Sequence, residues 1–236
     1  MLKPSLEEVK ALAKQYNTIP VFYEFSADNQ TPLNIYTALS KDSRNSFILE
    51  SVSNGVQWDR YSFVGVSPKE EICITGNTAE IRTGDKIETK EVEQPIAFLK
   101  ERMAAYRSPV LEGAPNFTGG LIGYFGYDTV RYMEKKLTHV PEDDIHMPDC
   151  HLFLYEELLA YDHLTSNGIV ILNLHTDGDL GAQYAAAQWR AEELADIVRH
   201  YNPQPQIRQH HGESVVRSNL TKEQYSQMVR DAKEYI

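Results

Sequence analysis

The sequence predicts an α+β fold in which packed antiparallel β-sheets, arranged like a sandwich, are flanked by helices. Short β-branched and aromatic runs separated by tight-turn signals recur along the chain, as they do in antiparallel sheets. Helical periodicity interrupts these runs only occasionally, whereas a doubly wound parallel sheet would alternate strand and helix regularly. The 236 residues suffice for one large domain or two small ones with a substantial core.

The first forty residues predict two helices around one strand. Ser5 opens a capping box, and apolar residues at helical spacing extend the first helix to Gln15. Residues 21–25 are aromatic and β-branched, which favours a strand. Thr31-Pro32 supplies an N-cap and a first-turn proline, so a second helix is predicted over 33–40.

From residue 46 to about residue 90 the pattern changes to strands. A turn signal at Ser53-Asn54-Gly55 separates two of them, and Gly-Asn and Gly-Asp turns separate the others. An antiparallel meander is therefore predicted. Its strands are 46–52, 60–66, 72–75, 78–82 and 86–89.

A helix over 94–106 precedes a second region of strands. Four glycines interrupt the apolar run 117–127, which indicates a bulged strand or a close approach of two backbones. One strand over 152–162 is predicted to pair with 168–175 across a Thr-Ser-Asn-Gly turn. A long helix then covers 180–201 and ends before Pro203.

The composition predicts three segments. Residues 1–201 form the main domain, and the polar, proline-bearing stretch 202–217 has the composition of a linker. In 218–236, Thr221 opens a second capping box, and apolar residues at helical spacing continue to Ile236 without a C-cap. This helix is predicted to begin another unit that the chain does not complete.

Charge and cysteine content exclude several classes of protein. The 23 Lys+Arg against 34 Asp+Glu give a net charge of −11, which argues against nucleic-acid binding. Two cysteines, Cys73 and Cys150, provide no disulfide framework. The first residues lack the apolar core of a signal peptide, and no apolar run could span a membrane. A cytoplasmic protein without membrane or nucleic-acid partners is predicted.

No standard catalytic or metal motif occurs. The sequence contains no phosphate-binding loop, dinucleotide fingerprint, HExxH or GxSxG pattern. Asp149-Cys150-His151, with His146 nearby, matches no zinc spacing and is interpreted as a junction between loop and strand. The acidic run 142–144 is interpreted as a solvated loop. We therefore predict neither catalytic residues nor metal ligands in this chain.

One polar constellation has two interpretations. Glu50 and Ser51 end an apolar strand, and Arg60 and Ser62 lie on the strand that returns. A carboxylate, a hydroxyl and a guanidinium could hold the ammonium and carboxylate groups of a zwitterion. They could equally form an ordinary Glu–Arg cross-strand pair with serines in the turn. The residue chemistry alone favours the second interpretation.

At these positions the sequence resembles the anthranilate synthase component I family. Ile48-Leu49-Glu50-Ser51 and the W-x-RYSFVG segment 58–65 resemble the LLES and W-x-RYS-x-IG segments of that family. The run 119–131 (GGLIGYFGYDTVR) is similar to its central glycine-rich segment, and 218–225 is similar to the start of its chorismate-binding domain. The resemblance thus extends over essentially the whole chain.

The resemblance implies a lyase of tryptophan biosynthesis. The family converts chorismate and ammonia or glutamine nitrogen into anthranilate and pyruvate with Mg²⁺, and it pairs with a glutaminase subunit. Its active site and Mg²⁺ ligands belong mainly to a C-terminal domain that is almost wholly outside this chain, so no cofactor is predicted here and this chain alone should be inactive. The N-terminal part contributes to the site of feedback inhibition by L-tryptophan. Carried over by position, the tryptophan-binding residues are Leu49, Glu50, Ser51, Arg60 and Tyr61.

Two alternatives remain open. Aminodeoxychorismate synthase component I, the relative in folate synthesis, shares the architecture but departs from the Leu-Glu-Ser and RYS arrangement. A free-standing amino-acid-binding or interaction module would need Glu50, Ser51 and Arg60 to form a complete site.

Overall fold

In a computed structural model, the described part of the chain contains two five-stranded antiparallel sheets and five α-helices. The structure describes residues 1–50, 60–134, 136–138, 140, 142–143, 145–203 and 217–235. The predicted α+β class with packed antiparallel sheets is confirmed. In chain order the elements are α1 (Leu6–Leu12), β1 (Thr18–Ser26), α2 (Pro32–Leu39), β2 (Ser46–Leu49), β3 (Tyr61–Val66), β4 (Glu70–Thr75), β5 (Thr78–Thr83), β6 (Lys86–Glu91), α3 (Pro95–Ala104), β7 (Gly120–Phe125), a 3-10 helix (Tyr127–Tyr132), β8 (Cys150–Tyr155), β9 (Glu157–Asp162), β10 (Asn167–His175), α4 (Leu180–Arg199) and α5 (Lys222–Lys233).

Buried apolar side chains of the described residues form three clusters around the two sheets. The first sheet has the order β1-β10-β9-β3-β2, and the second has the order β6-β5-β4-β8-β7. Val9, Ile35 and Leu194 from α1, α2 and α4 cover one face of the first sheet. Side chains such as Leu158 and Phe153 join the opposite face to the second sheet, as expected for a sandwich. Helix α3 packs on the second sheet through a third cluster.

Two predicted runs of strand divide between the sheets, which corrects the sequence prediction. The run 152–162 is not one strand: β8 belongs to the second sheet and β9 to the first, with Glu156 between them. The predicted meander also divides, because β2 and β3 join the first sheet while β4 to β6 join the second. Ser67, with φ 54°, lies in the connection between β3 and β4. Apolar alternation identifies a strand but not the sheet that it enters.

The helix starts follow the predicted caps. The side chain of Ser5 accepts a hydrogen bond from the Glu8 N–H, and Glu8 bonds back, so the capping box is present. Thr31 caps α2, and Thr221 forms the second capping box with Gln224. These side chains satisfy N–H groups that the first turn leaves without partners. The helices end within a few residues of the predicted positions.

Gly123 confirms the predicted close approach of two backbones. A Cβ atom at this position would lie 2.0 Å from the backbone oxygen of His151 on the neighbouring strand β8. The strand is shorter than predicted, since β7 ends at Phe125 and a 3-10 helix follows. A side chain at Gly123 would therefore have to separate β7 from β8.

The chain divides into two compact units, Met1–Asn202 and Pro203–Ile236. In the second unit, α5 has no buried residue. Most of the predicted linker, residues 204–216, lies outside the described residues. The assignment of 218–236 to a chorismate-binding domain stays a prediction. Within the described ranges, no helix is both long and apolar enough to cross a membrane.

Candidate functional site

The candidate site begins where the ladder between β2 and β3 ends. The last paired residues are Leu49 and Phe63. Leu49 is 44% exposed although it pairs with a core aromatic residue. Glu50 follows it, is exposed, and has no hydrogen bond or ion pair to another described residue. An exposed carboxylate and an accessible apolar side chain thus lie next to each other.

Arg60, just before β3, is held by a buried carboxylate. Its Nε donates to Asp162 Oδ1 at 3.0 Å, and its Nη2 donates to Asp162 Oδ2 at 2.6 Å. Asp162 ends β9 and is only 2% exposed. The guanidinium carbon also lies 4.9 Å from the ring centroid of Tyr61, within the range of a cation–π contact. This bidentate pair fixes the orientation of the Arg60 side chain.

The pair changes the protonation equilibria of both partners. Burial by itself would raise the pKa of Asp162, but hydrogen bonds from Arg60, the Leu164 N–H and Thr165 outweigh it and lower the pKa. The hydrogen bond to Asp162 raises the pKa of Arg60. Burial raises the pKa of Tyr61, partly offset by the charge of Arg60. At neutral pH the site therefore contains an ionised Asp162–Arg60 pair and a neutral Tyr61 phenol.

A second contact holds the same pair of strands in register. Ser62 Oγ lies 2.8 Å from His163 Nε2, and the His163 N–H donates to the carbonyl oxygen of Arg60 at 2.9 Å. Ser62 is 1% exposed. Residues 162 and 163 thus form hydrogen bonds with residues 60 and 62. These bonds fix the start of β3 against the end of β9.

The structure brings some of the predicted site residues together and leaves others undescribed. Leu49 and Tyr61 lie at the ends of the paired strands β2 and β3, next to Glu50 and Arg60. Ser51 lies outside the described residues, as does the rest of 51–59. The interpretation of Glu50 and Arg60 as a cross-strand pair is wrong for Arg60. Its bidentate partner is Asp162, which lies 102 positions further along the chain.

Sequence reasoning missed Asp162. Its only local signal is its position as the last residue of an apolar strand, before a turn. The contact with Arg60 depends on the pairing of β3 with β9, in which Tyr61 faces Asp162. Sequence spacing does not specify that register.

The described residues offer no metal site. No group of three or more His, Cys, Asp or Glu side chains in these ranges could hold a metal ion. Asp149 instead joins two neighbouring segments by hydrogen bonds. Its Oδ2 accepts from the Gly76 N–H at 2.6 Å and from the Tyr132 hydroxyl at 2.7 Å.

The fold and sequence define a class of protein. The chain belongs to the chorismate binding enzyme family, whose match covers residues 46–236. It is 36% identical to anthranilate synthase component 1 of Acetivibrio thermocellus, covering 100% of this chain and 49% of that protein. The Pseudomonas aeruginosa protein of the same name is also 36% identical, with 98% and 47% covered. The resemblance to anthranilate synthase component I is thus confirmed.

The chain spans about half the length of these relatives, and it matches their N-terminal half. The crystal structure of anthranilate synthase component I from Streptococcus pneumoniae matches 88% of this chain and 43% of that one, with a TM-score of 0.53. Its sequence identity is 24%, so this likeness concerns the fold.

Proposed function

We propose that this chain is the tryptophan-binding, regulatory N-terminal part of an anthranilate synthase component I and is catalytically silent by itself. The observation that carries the proposal is the continuous match to proteins of that name along the whole chain, with only half of their length covered. The names of these relatives also favour anthranilate synthase over aminodeoxychorismate synthase. The complete enzyme would be a cytoplasmic lyase that forms anthranilate and pyruvate from chorismate.

The candidate site offers a group for each part of tryptophan. The Glu50 carboxylate is exposed and suits an ammonium group. Arg60 uses Nε and Nη2 for Asp162, and the remaining Nη1 suits a carboxylate. Leu49 and Tyr61 provide apolar and aromatic surface for the indole. We assign Ser51 to the same site by its position in the Ile-Leu-Glu-Ser segment.

The catalytic chemistry would belong to protein outside this chain. Mg²⁺, in the complete enzyme, would neutralise negative charge on the chorismate carboxylates. We assign its ligands to the C-terminal part of the enzyme, as the resemblance to the family implies. A glutaminase subunit would supply ammonia. Co-purification of this chain with that subunit would test whether the N-terminal part contributes to their interface.

The first test is charge reversal at Glu50 in the complete enzyme. Glu50→Lys should weaken inhibition by tryptophan at least about tenfold, since a charge-assisted hydrogen bond contributes about 1.5–3 kcal/mol. The kcat and KM for chorismate should stay unchanged. Glu88→Lys, at an exposed position of the edge strand β6, is the matched control and should leave inhibition as it was. Unaltered inhibition of the Glu50→Lys enzyme would contradict the proposed site.

The second test uses this chain alone. It should form no anthranilate from chorismate and ammonia, and measurable product would refute the proposed silence. Calorimetry with L-tryptophan distinguishes the remaining alternative. Weak or absent binding supports a half-site completed elsewhere in the enzyme, whereas tight stoichiometric binding would identify a free-standing amino-acid-binding module.

A further inference from the structure

A small cavity lined by both polar and apolar residues lies at the end of the first sheet opposite to the candidate site. Its volume is about 60 Å³. Thr18, the first residue of β1, lines it together with Ser108, Gly119, Tyr155 and Asn173. At one end of the first sheet, Thr18 of β1 pairs with His175 of β10. At the opposite end of the same strands, Asn167 of β10 pairs with both Ser26 and Asp162. The cavity is therefore separate from the site proposed for tryptophan.

Two buried hydroxyls in this cavity have no hydrogen-bond partner. Among the described residues, only three buried side-chain oxygen or nitrogen atoms are unpartnered, and two of them are Thr18 Oγ1 and Ser108 Oγ. Thr18 is 3% exposed, so bulk water does not solvate its hydroxyl. A buried polar group without a partner costs about 1–3 kcal/mol. Both residues line the same cavity, so one ligand in it could be a partner for both hydroxyls.

The local backbone brings the two hydroxyls to the same space without joining them. The carbonyl oxygen of Arg107 accepts hydrogen bonds from the N–H groups of Asn17 (2.9 Å) and Thr18 (3.2 Å), which anchors Ser108 beside the start of β1. Asn173 uses its amide nitrogen for the carbonyl oxygens of Thr118 (2.7 Å) and Glu156 (2.9 Å). These bonds hold the walls in place while both hydroxyls remain available.

The wall of the cavity at Gly119 has no room for a side chain. A Cβ at Gly119 would lie 2.9 Å from both Asn173 Nδ2 and the Tyr155 backbone oxygen. The volume suits molecules the size of water, because one water occupies about 30 Å³ in the liquid and needs two to four polar partners. An apolar cavity of this size would stay dry, but polar residues, among them Thr18, Ser108 and Asn173, line this one.

We propose that this cavity binds about two ordered water molecules that bridge Thr18 Oγ1 and Ser108 Oγ. The water links the start of β1, in the first sheet, to the segment that follows α3. It also lies against Gly119 and Tyr155, where β7 and β8 of the second sheet begin and end. The ligand of this cavity is thus water, and its binding does not depend on the function proposed above.

The first test is a substitution that should shift Tm in opposite directions depending on whether the cavity contains water or is empty. Thr18→Val keeps the shape of the side chain and removes the hydroxyl. If water occupies the cavity, the variant loses a hydrogen bond and its Tm falls. If the cavity is dry, the variant removes an unsatisfied polar group and its Tm rises. A rise in Tm would overturn the proposal.

Ser108→Ala gives a second, independent measurement if Thr18→Val folds poorly, and its Tm should also fall. Thr78→Val, at an exposed position of β5, controls for the strand preference of valine and should leave Tm nearly unchanged. A crystal structure at high resolution should show water density within hydrogen-bond distance of Thr18 Oγ1 and Ser108 Oγ in the unmodified protein. Absence of density there would also overturn the proposal.

Discussion

Asp162 shows how one buried residue can control an exposed one. Its side chain is 3% exposed, whereas that of Arg60 is 44% exposed. A buried carboxylate needs partners, and Arg60 together with the Leu164 N–H provides them. The exposed end of Arg60 therefore remains in one orientation rather than sampling many rotamers. This ordering makes Asp162 a positioning residue for the proposed ligand site.

Asp162→Asn should reduce the free energy of unfolding by about 1.5–3 kcal/mol at pH 7. The lowered pKa means that folded Asp162 binds protons less readily than unfolded Asp162. The contribution of ionised Asp162 to the free energy of unfolding is therefore complete above the ordinary pKa of 3.8. It is lost as the pH falls through the lower pKa of the folded protein. The difference between the two proteins should shrink below about pH 4. Urea unfolding across this pH range measures it.

Asp85→Asn is the control for this prediction. Asp85 is exposed in the turn between β5 and β6, so its replacement should change stability by less than about 0.5 kcal/mol. A difference for Asp162→Asn that stayed constant down to pH 2 would contradict the assignment of an ionised buried pair.

At the scale of elements, the contact between β7 and β8 depends on a missing side chain. Gly123 faces Leu152 across the ladder, and there is no room for a Cβ between the strands. Gly123→Ala should lower the free energy of unfolding by at least about 2 kcal/mol, because overpacking forces backbone shifts. The larger Gly123→Val should impair folding. Chemical denaturation measures the first effect, and soluble yield measures the second.

Gly178→Ala tests whether any added methyl group would do the same. A Cβ there would lie 2.8 Å from Gln183 Nε2, an atom at the end of a side chain rather than in the backbone. Its effect should stay below about 1 kcal/mol. If Gly123→Ala were equally mild, the glycine would not be needed for strand packing.

Local sequence signals located most elements. Ser5, Thr31 and Thr221 mark helix starts because each side chain satisfies N–H groups within its own first turn. The run 152–162 shows the limit of such signals. Both β8 and β9 are buried and apolar, so no local pattern identifies the change of sheet at Glu156. In the structure, Glu156 Oε1 accepts from Lys69 Nζ at 2.7 Å and lies 2.8 Å from His175 Nε2.

At the scale of the whole molecule, the unit Met1–Asn202 contains the core clusters. Removal of residues 203–236 should therefore change its Tm by less than about 3 °C, which corresponds to about 1 kcal/mol in a domain of this size. Thermal unfolding followed by circular dichroism measures the shift. Removal of residues 1–13 is the contrasting variant and should lower Tm strongly, because Val9 is fully buried. Equal losses in both variants would contradict the independence of the first unit.

The order of residues determined the features that form within a few positions: the caps, the turns, the alternation of strands and the resemblance of short segments to one family. Three features were decided only by tertiary structure. They are the sheet that each strand joins, the pairing of Arg60 with Asp162, and the cavity between Thr18 and Ser108. Each depends on a register between segments that are distant in the chain, and shifting that register changes which side chains meet without changing any local preference.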